Sequence, residues 1–144
     1  MMKKQFLAFV FFGLGVQLAF SQHHLEVQIN GVNSLEGTIA IALYTEEENF
    51  LNFDKAYRFY KIPVNESHTY VFRELEAGFY AIAAFYDQNS NDQLDTNLIG
   101  IPKEALGTSG NPKNKFGPPR FKNCKIYLNS DQTVQIELKK LFDK

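Results

Sequence analysis

The sequence predicts an all-β fold: a sandwich of about seven antiparallel strands carrying one long ordered loop. Three observations predict it. Short apolar runs alternating with period two recur between clusters of turn residues. Aromatic content is 15%, all Phe and Tyr, and such side chains suit a pleated surface. With 144 residues and 44% apolar content, the chain has the length of one domain.

Residues 1–21 read as a secretory leader. Lys3 and Lys4 form a charged start, Phe6 to Phe20 an apolar run, and Ala19 and Ser21 a small-residue end, so cleavage is expected after Ser21. The run falls short of the roughly 20 apolar residues that span a bilayer. The expectation is a secreted or periplasmic protein, residues 22–144 forming a single domain with no membrane span once the leader is removed. That domain has 13 basic against 16 acidic residues, so it lacks the positive surplus that binds nucleic acid. Cys124 is the only cysteine and lies far from the cut, which excludes a lipoprotein anchor and an internal disulfide. Its alternation with Ile126 and Leu128 marks it as a small core hydrophobe rather than a nucleophile.

The strands are expected at Leu25 to Asn30, Gly37 to Tyr44, Ala56 to Val64, His68 to Leu75, Gly78 to Tyr86, Phe121 to Leu128 and Thr133 to Leu138. Asn129 to Gln132 is expected to turn the last hairpin. After the second strand, Thr45 and Glu48 have the spacing of a capping box opening a helix, and the acidic run Glu46 to Glu48 complements its dipole. The fifth strand is apolar on both faces, Tyr80, Ile82 and Ala84 on one and Phe79, Ala81, Ala83 and Phe85 on the other, which places it centrally in a sheet. Its alanines, with Ala40 and Ala42, call for a close cover, for which the long segment from Asp87 to Pro119 is the expected source. A loop of that length is commonly functional. Within it Pro102 to Leu106 reads as a helical turn stopped by Gly107.

Phe72, Leu75, Gly78 and Tyr80 form F-x-x-L-x-x-G-x-Y, the logic of a tyrosine corner, in which a phenol returns to upstream backbone. Then come Asp87-x-Asn89-x-Asn91-x-x-x-Asp95, Gly100-Ile101-Pro102-Lys103-Glu104, Gly107-Thr108-Ser109 and Phe116-Gly117-Pro118-Pro119-Arg120-Phe121. In that order, over roughly residues 25–140, the chain resembles the secreted bacterial family of unknown function DUF 2141. The resemblance implies an exported Ig-like or prealbumin-like β-sandwich and no established activity. Where the family pattern has Asn-Gly inside the loop, this chain has Asn91-Asp92.

Asp87, Asn89, Asn91 and Asp95 fall at positions 1, 3, 5 and 9 of a calcium-loop template, with Gln93 at position 7 offering its carbonyl. The expectation is a weak Ca²⁺ site on Asp87, Asn89, Asn91, Gln93 and Asp95. Asp92 at position 6 replaces the usual Gly, and Leu98 at position 12 replaces the bidentate Glu, a carboxylate Glu104 would supply if the loop folds back. The competing reading is an Asx-rich turn whose side chains cap their own backbone. His23 and His24 would follow a mature Gln22 terminus in an arrangement able to bind Cu(II) or Ni(II), but a disordered terminus is the expectation; His68 reads as a surface histidine. Nucleophile-elbow, zincin and phosphate-loop motifs are absent. Asn65-Glu66-Ser67 is the single sequon. The functional expectation is an exported non-catalytic module for an unknown protein or carbohydrate ligand, with exposed aromatics such as Tyr57, Phe59 and Tyr60 as the nearest stripe. The alternative is a small periplasmic hydrolase using loop carboxylates such as Asp95 and Glu104.

Overall fold

The computed structural model describes residues 21–113 and 117–141, so the leader reading lies outside the described residues apart from Ser21. Its strands are β1 (Gln22–Asn30), β2 (Thr38–Tyr44), β3 (Arg58–Pro63), β4 (Thr69–Glu76), β5 (Gly78–Asp87), β6 (Leu106–Thr108), β7 (Ile126–Leu128) and β8 (Gln132–Glu137), with one helical turn, α1 (Phe121–Cys124). The fold is all-β and sandwich-like. One sheet runs β4-β1-β8, the other β3-β2-β5-β6, with β7 also pairing β5.

Alternation decides which side chains go inward. Leu25, Val27 and Ile29 of β1, Phe72 and Leu75 of β4, and Ile136 of β8 meet Ile39, Ile41 and Leu43 of β2 and Ile82 of β5 in the core between the sheets. As expected, β5 is central and buried on both faces, and Tyr80 forms the corner, its hydroxyl donating to the Glu76 carbonyl at 2.9 Å.

Seven expectations need correction. The sheets are not wholly antiparallel, because β1 and β8 run parallel from Leu25 opposite Gln132 to Asn30 opposite Glu137. Asn129 to Gln132 therefore turns no hairpin: it carries the chain from β7 in one sheet to β8 in the other. Asp131 fixes this crossing by accepting the His24 N–H at 2.7 Å, so His23 and His24 belong to a strand instead of a disordered terminus.

The expected strand from Phe121 is a helical turn followed by a short β7. Phe121 and Cys124, three apart on a helical turn, share one side, and both pack on Ala42, Ala81 and Ala83. Among the described residues the face of Ala42, Ala81 and Ala83 is thus covered by α1 and by Phe50, Leu51, Phe53 and Ala56, and none of those described between Asp87 and Pro119 joins that cluster. Phe50 lies edge-on to Tyr44 and Phe121, at 5.4 and 5.7 Å.

The capping box does not form: the turn after β2 is a 3₁₀ turn (Glu47–Asn49) preceded by Glu46 with no side-chain cap, and Leu51 at φ +69° ends any helical path. Finally, Pro102 to Leu106 forms no helical turn: Pro102 bridges Thr96, the chain bends at Glu104, and Leu106 opens β6. Leu106 pairs with Lys139 in both directions, at 3.0 and 3.1 Å, while β6 also pairs β5. Gly107 permits that approach, since a Cβ there would lie 2.4 Å from the Glu137 carbonyl oxygen.

β6 and β7 occupy successive stretches of one edge of β5, opposite Ala83 to Phe85 and Gly78 to Tyr80. Ser109 closes the gap between them. Its N–H donates to the Ile82 carbonyl at 2.9 Å, its Oγ accepts the Ile82 N–H at 2.9 Å, and its hydroxyl donates to the Cys124 carbonyl at 2.6 Å.

Candidate functional site

The Asp/Asn loop leaves β5 at Asp87, a carboxylate with 0% exposure. A buried carboxylate needs donors, and backbone supplies them: Asn91 N–H reaches Oδ1 at 3.2 Å and Asp92 N–H reaches Oδ2 at 2.9 Å. The curl requires Asp92 at φ +69°, the left-handed conformation for which Gly is preferred at the sixth position of a calcium loop. Asp92 pairs with Lys61 of β3, tying the loop to the neighbouring sheet edge.

Asp95 is served by amides. Asn89 Nδ2 donates to one carboxylate oxygen at 2.8 Å and Asn91 Nδ2 to the other at 2.9 Å. The amide oxygens face backbone, Asn89 Oδ1 accepting Asn91 N–H at 3.2 Å and Asn91 Oδ1 accepting Gln93 N–H at 2.9 Å. Beyond Asp95 the chain makes a small hairpin: Lys103 N–H donates to the Asp95 carbonyl at 2.8 Å, Asn97 N–H to Ile101, and Asn97 Oδ1 accepts from Ile99 and Ile101.

That hairpin folds Glu104 back. Its oxygens accept Gln88 N–H at 3.2 Å and Asp95 N–H at 3.1 Å, clamping the two ends of the loop. Burial pushes the Glu104 carboxyl above its ordinary range, opposed by those two backbone donors and assisted by the charges of Asp87 and Asp95.

The structure therefore gathers Asp87, Asn89, Asn91 and Asp95 into one hydrogen-bonded loop, with Gln93 donating its N–H to it, and adds Glu104. The bidentate Glu of position 12 has no counterpart: Leu98 is exposed in the hairpin, and both Glu104 oxygens are taken by the Gln88 and Asp95 N–H groups. Among the described residues no group of three or more His, Cys, Asp or Glu side chains is arranged to hold a metal ion. The donor set is hard oxygen, suited to calcium in type but sparse in charge. Turning both amides over would present their oxygens beside Asp95, at the expense of the bonds they accept from Asn91 and Gln93.

The other singled-out residues separate. Phe59 lies edge-on to Phe53 at 6.2 Å, whereas Tyr60 packs obliquely on Tyr70 of β4 at 4.4 Å, so Tyr57, Phe59 and Tyr60 form no continuous stripe. Cys124 is 1% exposed, its thiol donates to Thr108 Oγ1 at 3.3 Å, and burial pushes it up, which makes it a core residue. Sequence reasoning missed Arg58 and Arg73. Alternation puts Arg58 on the face of Tyr60, but its meeting with β4 depends on the sheet order.

Fold and site together define an all-β protein of two facing sheets with a self-satisfied Asp/Asn loop at the end of a central strand. Residues 27–137 match the model of the family described as an uncharacterized protein conserved in bacteria (DUF2141), and the chain belongs to that family. No curated protein and no solved structure matches it.

Proposed function

We propose that this chain is an exported, non-catalytic binding module, acting in the periplasm or at the cell surface, whose Asp/Asn loop takes calcium weakly in a structural role. The direction of the carboxylates carries the reading. A general acid, base or nucleophile must reach the substrate within hydrogen-bond distance. Asp87 and Glu104 are buried and turned onto backbone N–H groups, and Asp95 is held by two amides, so the loop acids are committed to shaping the loop. The hydrolase alternative requires these same groups to be free.

The calcium part draws support from the left-handed Asp92, from the backbone N–H groups that fix Asp87, and from the two amides surrounding Asp95. Without a bidentate twelfth ligand, and with amides that must turn over, the dissociation constant is expected on the order of 0.1 to 1 mM, as in extracellular modules. Calcium at several times that value would stabilise the fold by about 1 kcal/mol. Melting in EDTA and in millimolar calcium tests this, with Asp95→Asn as the variant that loses the response. Identical midpoints for the wild-type protein would leave the loop as an Asx turn.

A further inference from the structure

β3 and β4 are the outer strands of their respective sheets, joined by the turn at residues 64–68 and lying side by side along one flank. A groove of about 530 Å³ opens there, lined by Arg58 and Tyr60 of β3 and by Tyr70, Arg73 and Glu74 of β4, within the size range of small-ligand sites. Its floor is aromatic. Tyr60 and Tyr70 lie against each other with ring centres 4.4 Å apart and planes tilted by 31°, and both rest edge-on against buried Phe72, at 5.7 and 5.0 Å.

The Arg58 charge in this groove is fixed in place. β4 bulges where the register slips between His23 and Leu25, and Glu74 takes φ +57°. Arg58 reaches the carbonyls at this bulge, Nη1 to Arg73 at 2.6 Å and Nη2 to Glu74 at 3.4 Å, which orients its guanidinium. Among the described residues neither Arg58 nor Arg73 forms an ion pair, although the chain as a whole is slightly acidic. The Tyr70 phenol, raised by burial and by the neighbouring Tyr60, is drawn back down by both arginines, so the four groups feel one another.

We propose that this groove binds an acidic saccharide, Arg58 and Arg73 receiving its carboxylate and the Tyr60–Tyr70 pair its ring face. The inference rests on the binding-module reading above and names its ligand class. Guanidinium groups match carboxylates geometrically, and aromatic faces accept the apolar face of a sugar ring. Glu74 remains to accept from sugar hydroxyls. An acidic peptide is the poorer fit: the bulge and Arg58 occupy the carbonyls a new strand would need, and Pro63 closes β3.

Calorimetric titration of the protein with trigalacturonate, neutral galactotriose and triglutamate decides the matter. Trigalacturonate is expected to bind, with galactotriose and triglutamate each at least about tenfold weaker, the scale of one charge-assisted contact. Arg73→Gln should weaken trigalacturonate about tenfold with an unchanged melting midpoint, and Tyr60→Leu should weaken it in protein that circular dichroism shows to be folded. No binding of trigalacturonate, equal binding of either other probe, or an unaltered affinity in Arg73→Gln overturns the proposal while leaving the module reading standing. Cleavage of the trimer by the protein would instead overturn the module reading.

Discussion

Replacing Ser109 by Ala should cost this fold about 3 kcal/mol, which is large for the loss of one oxygen atom. Ser109 is 0% exposed, and its hydroxyl serves two backbone groups at once. The substitution leaves the Ile82 N–H without an acceptor inside the sheet, an orphaned donor costing about 1 to 3 kcal/mol. It also removes the donor to the Cys124 carbonyl, worth about 1 kcal/mol net. Ile82 and Cys124, which carry the two groups, are buried, at 0% and 1% exposure. Urea unfolding followed by circular dichroism is the assay. The midpoint should fall with an unchanged slope, and the melting temperature should drop by about 10 °C for a domain of this size. Ser130→Ala, at an exposed turn position, should stay within about 0.5 kcal/mol of wild type. A Ser109→Ala loss below about 0.5 kcal/mol would refute the claim that this hydroxyl completes the β5 ladder between β6 and β7.

Two further outcomes are expected. Because burial raises the Glu104 carboxyl in the folded state, the native protein holds this proton more tightly than the unfolded chain does. The stabilisation from protonating it is fully present below the ordinary glutamate range and is lost as pH rises through the raised value, so urea midpoints of wild type relative to Glu104→Gln should decline from acid toward neutral pH; parallel profiles would refute the assignment. Gly107→Ala drives a methyl against the Glu137 carbonyl and should cost about 2 kcal/mol or more by the same urea measurement, whereas an unchanged midpoint would contradict the close approach of Glu137 to β6.

Much of this fold is legible from local pattern. Alternation in β1, β2, β5 and β8 assigns each side chain to its face, and F-x-x-L-x-x-G-x-Y marks the Tyr80 corner, because both depend on residues only a few positions apart. Strand direction is not legible in that way: Val134 and Ile136 point inward whether β8 runs up or down, and only the crossing at Asp131 makes it parallel to β1. Cys124, Ile126 and Leu128 alternate, yet the alanine face selects a helical turn at Phe121. Gly107 reads locally as a helix stop, while its actual reason is a carbonyl thirty positions away. In the candidate loop the residues are legible and their occupancy is not, since Asp and Asn oxygens that would ligate a cation also cap backbone.

The pairing of β1 with β8 governs how this chain can be assembled. On the side away from β4, Leu25 finds its neighbour only at Gln132, so the middle strand of the smaller sheet keeps an open side until residues 132–137 arrive. A chain emerging from the ribosome at about 5 to 20 residues per second leaves that side bare for several seconds. Its hydrogen-bonding groups are then free to recruit a foreign strand. A premature stop before Gln132 makes that exposure permanent, and such a truncated chain should accumulate as aggregate rather than as a smaller folded domain.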